Sequence, residues 1–140
     1  MKDLLRPSPD TTITTRPLLA SRVEAGFPSP ADDHVERTLD LNEELITHPT
    51  ATFFLKAGGR SMQGAGIHDG DLLVVDRSLP SDPGTVVVAV VDGEFTVKRL
   101  VRTNGGMMLA AEHPDYSPIA IGSETDVRIW GVVTWVLHRP

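Results

Sequence analysis

From residue 50 onward, short apolar runs alternate with turn residues, a pattern of strands rather than helices. Residues 52–56, Thr-Phe-Phe-Leu-Lys, form the first run, and residues 72–75 the second, entered through His68-Asp69-Gly70-Asp71. Residues 85–91 are almost all β-branched, as in a strand buried on both faces. Asp92-Gly93 supplies a two-residue hairpin turn. The returning strand alternates, with Phe95, Val97 and Arg99 on one face and Thr96, Lys98 and Leu100 on the other. Asn104-Gly105-Gly106 marks the next turn, residues 107–110 a further strand, and residues 127–137 a long one with Gly131 as its bending point. Ahead of the strands, Asp40 and Glu43 make a capping-box pattern for a short helix. Leu41, Leu45 and Ile46 are its expected buried stripe, and His48-Pro49 its end. Residues 1–37 carry Pro7, Pro9, Pro17, Pro28 and Pro30 and no sustained period, so they cannot bury enough apolar surface to offset their ordering entropy. The expected architecture is mainly β: a flexible N-terminal arm over 1–37, then a β-rich domain over 38–140 built as a partly closed barrel or sandwich.

Composition narrows the function. The 140 residues suffice for one modest core. A net charge of -6 and no run of Lys or Arg disfavour direct DNA binding and favour a protein partner. With no cysteine, disulfides, Cys-ligated zinc and a thiol nucleophile are excluded together. No apolar run approaches a membrane span, and the N-terminus lacks the apolar core of a signal peptide, so a cytoplasmic protein is expected.

Two features carry candidate chemistry. Gly58-Gly59-Arg60-Ser61-Met62 follows a strand in a glycine-rich stretch that continues through Gly64 and Gly66. A serine at such a turn can be an exposed nucleophile with backbone donors beside it, although most serines in such loops are only loop residues. Lys98 lies mid-strand, where a lysine is most often an edge or snorkelling residue. If buried, it loses its proton more readily and can act as a base toward a serine hydroxyl. His34, His48, His68, His113 and His138 show no helical spacing for metal binding and read as solvated side chains. Asp69 and Asp71 flank Gly70 and read as turn residues.

Four segments then occur in order: Ala25-Gly26-Phe27-Pro28-Ser29-Pro30, Gly59-Arg60-Ser61-Met62, Gly70-Asp71-Leu72-Leu73-Val74-Val75-Asp76 and Asp92-Gly93-Glu94-Phe95-Thr96-Val97-Lys98-Arg99-Leu100. Together they resemble the LexA/UmuD family of self-cleaving serine peptidases, and the similarity continues through Tyr116-Ser117-Pro118-Ile119 and Trp130-Gly131-Val132-Val133. The resemblance implies the LexA-type C-terminal peptidase fold, with Ser61 as nucleophile and Lys98 as general base. It implies oxyanion donors from the backbone of Ser61 and a neighbour, and a scissile bond at Ala25-Gly26. Neither cofactor nor metal is implied. The implied partners are a second copy of the chain, a RecA–single-stranded DNA filament that stimulates cleavage, and a UmuC-like polymerase. With that polymerase the shortened chain would act in error-prone translesion synthesis during the SOS response. Arg60 departs from the family pattern beside the serine, and residues 1–24 match none of it.

The rival readings are a LexA-like repressor fragment, a signal peptidase and a non-cleaving polymerase-binding module. A repressor needs a DNA-binding domain of roughly 60 residues ahead of the cut, and only 25 residues, Met1 included, precede it here. A signal peptidase needs a membrane anchor.

Overall fold

The computed structural model describes residues 13–28, 30–122 and 124–140. Residues 1–12 of the expected arm, with Pro7 and Pro9, and Ser29 of the Ala25–Pro30 segment lie outside the described residues. The chain forms two compact units that divide between Glu44 and Leu45.

The first unit contains a two-stranded antiparallel ribbon, β1 (Arg16–Leu19) with β2 (Val35–Leu39), absent from the sequence reading. Its register pairs Pro17 with Thr38 and shifts between Leu18 and Leu19. Pro17 masks the strand signal, because proline inside a run argues against a central strand; in a two-stranded ribbon every strand is an edge. No ribbon residue is buried, so no apolar face was there to be read. A five-residue helix, α1 (Leu41–Leu45), follows. Asp40 does cap it, Oδ1 accepting the Asn42 N–H at 3.0 Å. The expected buried stripe does not form: no residue of α1 is buried, and Leu41 is exposed. Five residues make little more than one turn, too short to present a stripe to a core.

The second unit is one seven-stranded antiparallel sheet, curled into a half-barrel, as the mainly β reading expected. Its strands are β3 (Thr52–Lys56), β4 (Leu72–Asp76), β5 (Val86–Val91), β6 (Glu94–Thr103), β7 (Gly106–Ala110), β8 (Ile119–Ala120) and β9 (Val127–Leu137), in the order β3-β4-β9-β5-β6-β7-β8. The β-branched run of β5 sits near the middle and feeds two cores. Val88 packs with Met62, Leu73 and Val75, while Val87 and Ala89 pack with Leu100, Leu109 and Val132. Successive side chains of a strand point to opposite faces, which is why an uninterrupted apolar run is needed there.

Strand β9 joins the two halves of the sheet, pairing with β4 through residues 132–137 and with β5 through residues 127–132. Its register passes over Thr134 and Trp130, two bulges that bend the strand. Gly131 lies between them, buried, where an added Cβ would come within 2.6 Å of Val75 Cγ1 and 3.3 Å of Arg77 Cγ. Val75 is fully buried and cannot easily yield. Gly131→Ala is therefore expected to destabilise the fold by about 1–3 kcal/mol through overpacking. Urea unfolding should show a lower midpoint at unchanged m-value; an unchanged midpoint would mean that β9 has slack at this bend.

Candidate active site

Ser61 is held by a segment fixed at several points. After β3, Ala57 is buried; its N–H donates to the Asp71 carbonyl and its carbonyl accepts from the Gly70 N–H, both at 2.8 Å. Gly59 takes φ +80°, a left-handed conformation that favours glycine, and donates its N–H to Asp69 Oδ1 at 2.8 Å. Beyond Ser61, Met62 is 2% exposed and roots the turn in the core, and a 3₁₀ turn follows at Gln63–Ala65. The serine side chain is thus the half-buried tip between two buried anchors.

Lys98 comes from the middle of β6, which lies between β5 and β7. It is therefore not an edge-strand lysine, and at 8% exposure it does not snorkel to solvent. Its Nζ donates to Ser61 Oγ at 2.9 Å and to the Val97 carbonyl at 3.3 Å. The Tyr116 ring centroid lies 5.9 Å from Nζ. No carboxylate pairs with Lys98 among the described residues, and burial holds its pKa below the ordinary lysine value.

A cavity of about 210 Å³ opens beside Ser61, walled by Leu55, Ala57, Leu73, Val88, Phe95 and Val97. Among the described residues, no backbone carbonyl takes the Ser61 or Met62 N–H. Ala25 and Gly26 belong to the first unit, in an exposed bend between β1 and β2, with Val23 and Phe27 almost fully exposed on either side. Arg60 is exposed.

One supporting residue escaped the sequence reading. The Glu112 N–H donates to the Ser61 carbonyl, and the Glu112 carbonyl accepts from the Gly64 N–H, both at 2.8 Å. Its carboxylate accepts from Arg99 Nε at 2.5 Å, and Arg99, next to Lys98, also donates to the Gly84 carbonyl. Glu112 thus ties the serine turn to the lysine strand. Its partners lie 13 and about 50 residues away in sequence, and no local spacing announces such a pairing.

A serine hydroxyl beside a desolvated amine is chemically the arrangement of a serine hydrolase whose base is a lysine. A family profile described as Peptidase S24-like matches residues 17–134, and the chain belongs to this family of self-cleaving serine peptidases. It is 48% identical to protein ImpA of Salmonella typhimurium over 95% of this chain and 90% of ImpA. It is 41% identical to protein MucA of Escherichia coli over 94% of this chain and 90% of MucA. The LexA repressor of Bordetella parapertussis is 42% identical over 89% of this chain, which spans 60% of that repressor. ImpA and MucA are UmuD-type proteins, the branch that the sequence motifs resemble. Among the described residues, no helix is long and apolar enough to cross a membrane.

Proposed function

We propose that this chain cuts its own N-terminal arm, residues 1–37, at Ala25-Gly26, and that the β-rich domain, 38–140, then serves as an accessory subunit of a UmuC-like translesion polymerase. The observation that carries the reading is the 2.9 Å contact between Ser61 Oγ and a buried Lys98 with no competing carboxylate. Neutral Lys98 takes the Ser61 hydroxyl proton as Oγ attacks the Ala25 carbonyl carbon. The Ser61 N–H and the neighbouring Met62 N–H, which have no backbone acceptor among the described residues, receive the oxyanion. Protonated Lys98 returns its proton to the departing Gly26 nitrogen as the Ala25–Gly26 bond breaks. Water, deprotonated by Lys98, then hydrolyses the Ala25 ester on Ser61. Small residues on both sides of the cut let the arm backbone approach closely, within one chain or across a homodimer. Neither metal nor cofactor takes part.

The family tie supports a setting in the cytoplasm and in the SOS response, with cleavage stimulated by RecA–single-stranded DNA filaments and no sequence-specific DNA contact by this chain. The 48% identity to ImpA, against 42% to the LexA repressor, favours the UmuD-type reading over the repressor reading. Intact-mass analysis after incubation at neutral pH, at alkaline pH and with RecA filaments tests the proposal. Fragments 1–25 and 26–140 are expected. A folded chain that stays whole under all three conditions leaves a non-cleaving polymerase-binding module as the better reading.

The Glu112 brace predicts a rate effect away from the reacting atoms. A Cβ at position 64 would lie 2.6 Å from the Glu112 carbonyl oxygen, which is backbone and cannot rotate away. Gly64→Ala must displace the turn that carries Ser61, and misplacement of about 1 Å costs on the order of 100-fold. Cleavage is expected to slow by about 10–100-fold while circular dichroism stays native. An unchanged rate would show that the turn tolerates the shift.

A further inference from the structure

We propose that His68, Asp71 and His138 form a binding site for a zinc-like divalent cation. The register of the sheet brings them together. Leu72 pairs with Leu137, so Asp71, just before β4, lies beside His138, just after β9, and His68 opens the turn into β4. His138 Nδ1 is 2.7 Å from Asp71 Oδ1, and His68 Nδ1 is 3.7 Å from Asp71 Oδ2. The two imidazoles lie 4.6 Å apart, tilted by 35°. One ligand atom from each of the three residues falls within 4.8 Å of the others.

A tetrahedral zinc ion with bonds of about 2.0–2.2 Å holds its ligand atoms roughly 3.3–3.6 Å apart. Both histidines are about half exposed, so rotation of their side chains would close the remaining distance. Asp71, by contrast, is buried and fixed. Its Oδ2 accepts the His68 backbone N–H at 2.8 Å, and its two oxygens face the two imidazoles, Oδ1 toward His138 and Oδ2 toward His68. Each imidazole can carry its proton on Nε2 and offer the Nδ1 lone pair. Two nitrogens and one carboxylate oxygen suit zinc, cobalt or nickel better than magnesium or calcium. The exposed side gives the ion an entry path and leaves a fourth position for water.

The opposite end of β4 supplies an internal control. His48 Nδ1 lies 2.6 Å from Asp76 Oδ2, and the other oxygen, Oδ1, accepts from the N–H and Oγ of Ser78 instead of facing a second imidazole. That is a closed pair with a single imidazole. At the proposed site, a cation would clamp the end of β9 to the turn whose Gly70 and Asp71 hold Ala57, four residues before Ser61. The site stands whether or not the chain is a peptidase.

The test is titration of the full, tag-free, EDTA-stripped chain with zinc chloride by calorimetry, and with cobalt chloride by visible absorption. Saturation at one equivalent of zinc per chain, tetrahedral cobalt bands and a zinc-dependent rise in Tm are expected. His68→Ala and His138→Ala should each weaken binding by at least about tenfold, whereas His48→Ala should leave it unchanged. The two alanine variants replace half-exposed side chains, and their Tm in EDTA checks that they fold. If His138→Ala does not, His138→Gln keeps a hydrogen bond to Asp71 without the imidazole ligand. Absence of saturable zinc binding, or binding that survives His68→Ala/His138→Ala, would overturn the proposal and leave a hydrogen-bonded cluster only.

Discussion

Ser61→Ala is expected to abolish cleavage at Ala25-Gly26, a loss of at least about 10³-fold. Lys98→Ala should do the same. The two side chains meet at 2.9 Å, and Lys98 has no other side-chain partner than Ser61 Oγ among the described hydrogen bonds. Each group is useless without the other: the hydroxyl is a weak nucleophile until its proton leaves, and the amine has no substrate proton to take once the hydroxyl is gone. The double variant should therefore be no slower than either single one, the non-additive signature of groups acting as a unit. Ser61→Ala removes one oxygen from a turn whose anchors are the Glu112 N–H and buried Met62, neither of which it touches. A native circular dichroism spectrum and unfolding midpoint should accompany the lost activity. The measurement is the first-order disappearance of intact mass at alkaline pH. Cleavage at the wild-type rate in folded Ser61→Ala would remove the serine from the mechanism.

The strands of the second unit were legible because burial forces a pattern on them. β3 and β9 fall on the residues expected, and β5 shows the two-sided burial that its valine run implied. The order β3-β4-β9-β5-β6-β7-β8 was not legible, since it depends on β9 crossing between β4 and β5, a contact between distant segments. The ribbon of β1 and β2 was missed for the opposite reason: with no buried residue, it leaves no apolar trace. Motif resemblance pointed to Ser61 and Lys98 as a pair, whereas composition and alternation gave each of them only a weak signal. The structure adds the 2.9 Å contact and the burial. Glu112 and the His68–Asp71–His138 cluster could not be read at all. The cluster spans 70 residues, and its members meet only through the register of β4 on β9.

Cleavage should accelerate about tenfold for each pH unit until Lys98 is neutral, then level off. Desolvation lowers the pKa of Lys98, so the levelling must fall below the ordinary lysine value of about 10.4. The same shift has a consequence for stability, with a definite sign. A lysine whose folded pKa lies below its unfolded pKa binds fewer protons in the native state throughout the window between the two. Stability therefore rises with pH across that window, and the penalty is fully present below the folded pKa. Lys98→Met keeps the apolar stem and removes the ammonium, so it should be more stable than the wild type at neutral pH. That advantage should shrink as pH rises from the point at which wild-type cleavage levels off toward the ordinary lysine value. Thermal unfolding of the Ser61→Ala and Ser61→Ala/Lys98→Met chains from neutral to strongly alkaline pH measures it without interference from cleavage. A rate that is flat from neutral to alkaline pH, with no stability gain in the methionine variant, would mean that Lys98 is not a poised base and that its burial serves packing alone.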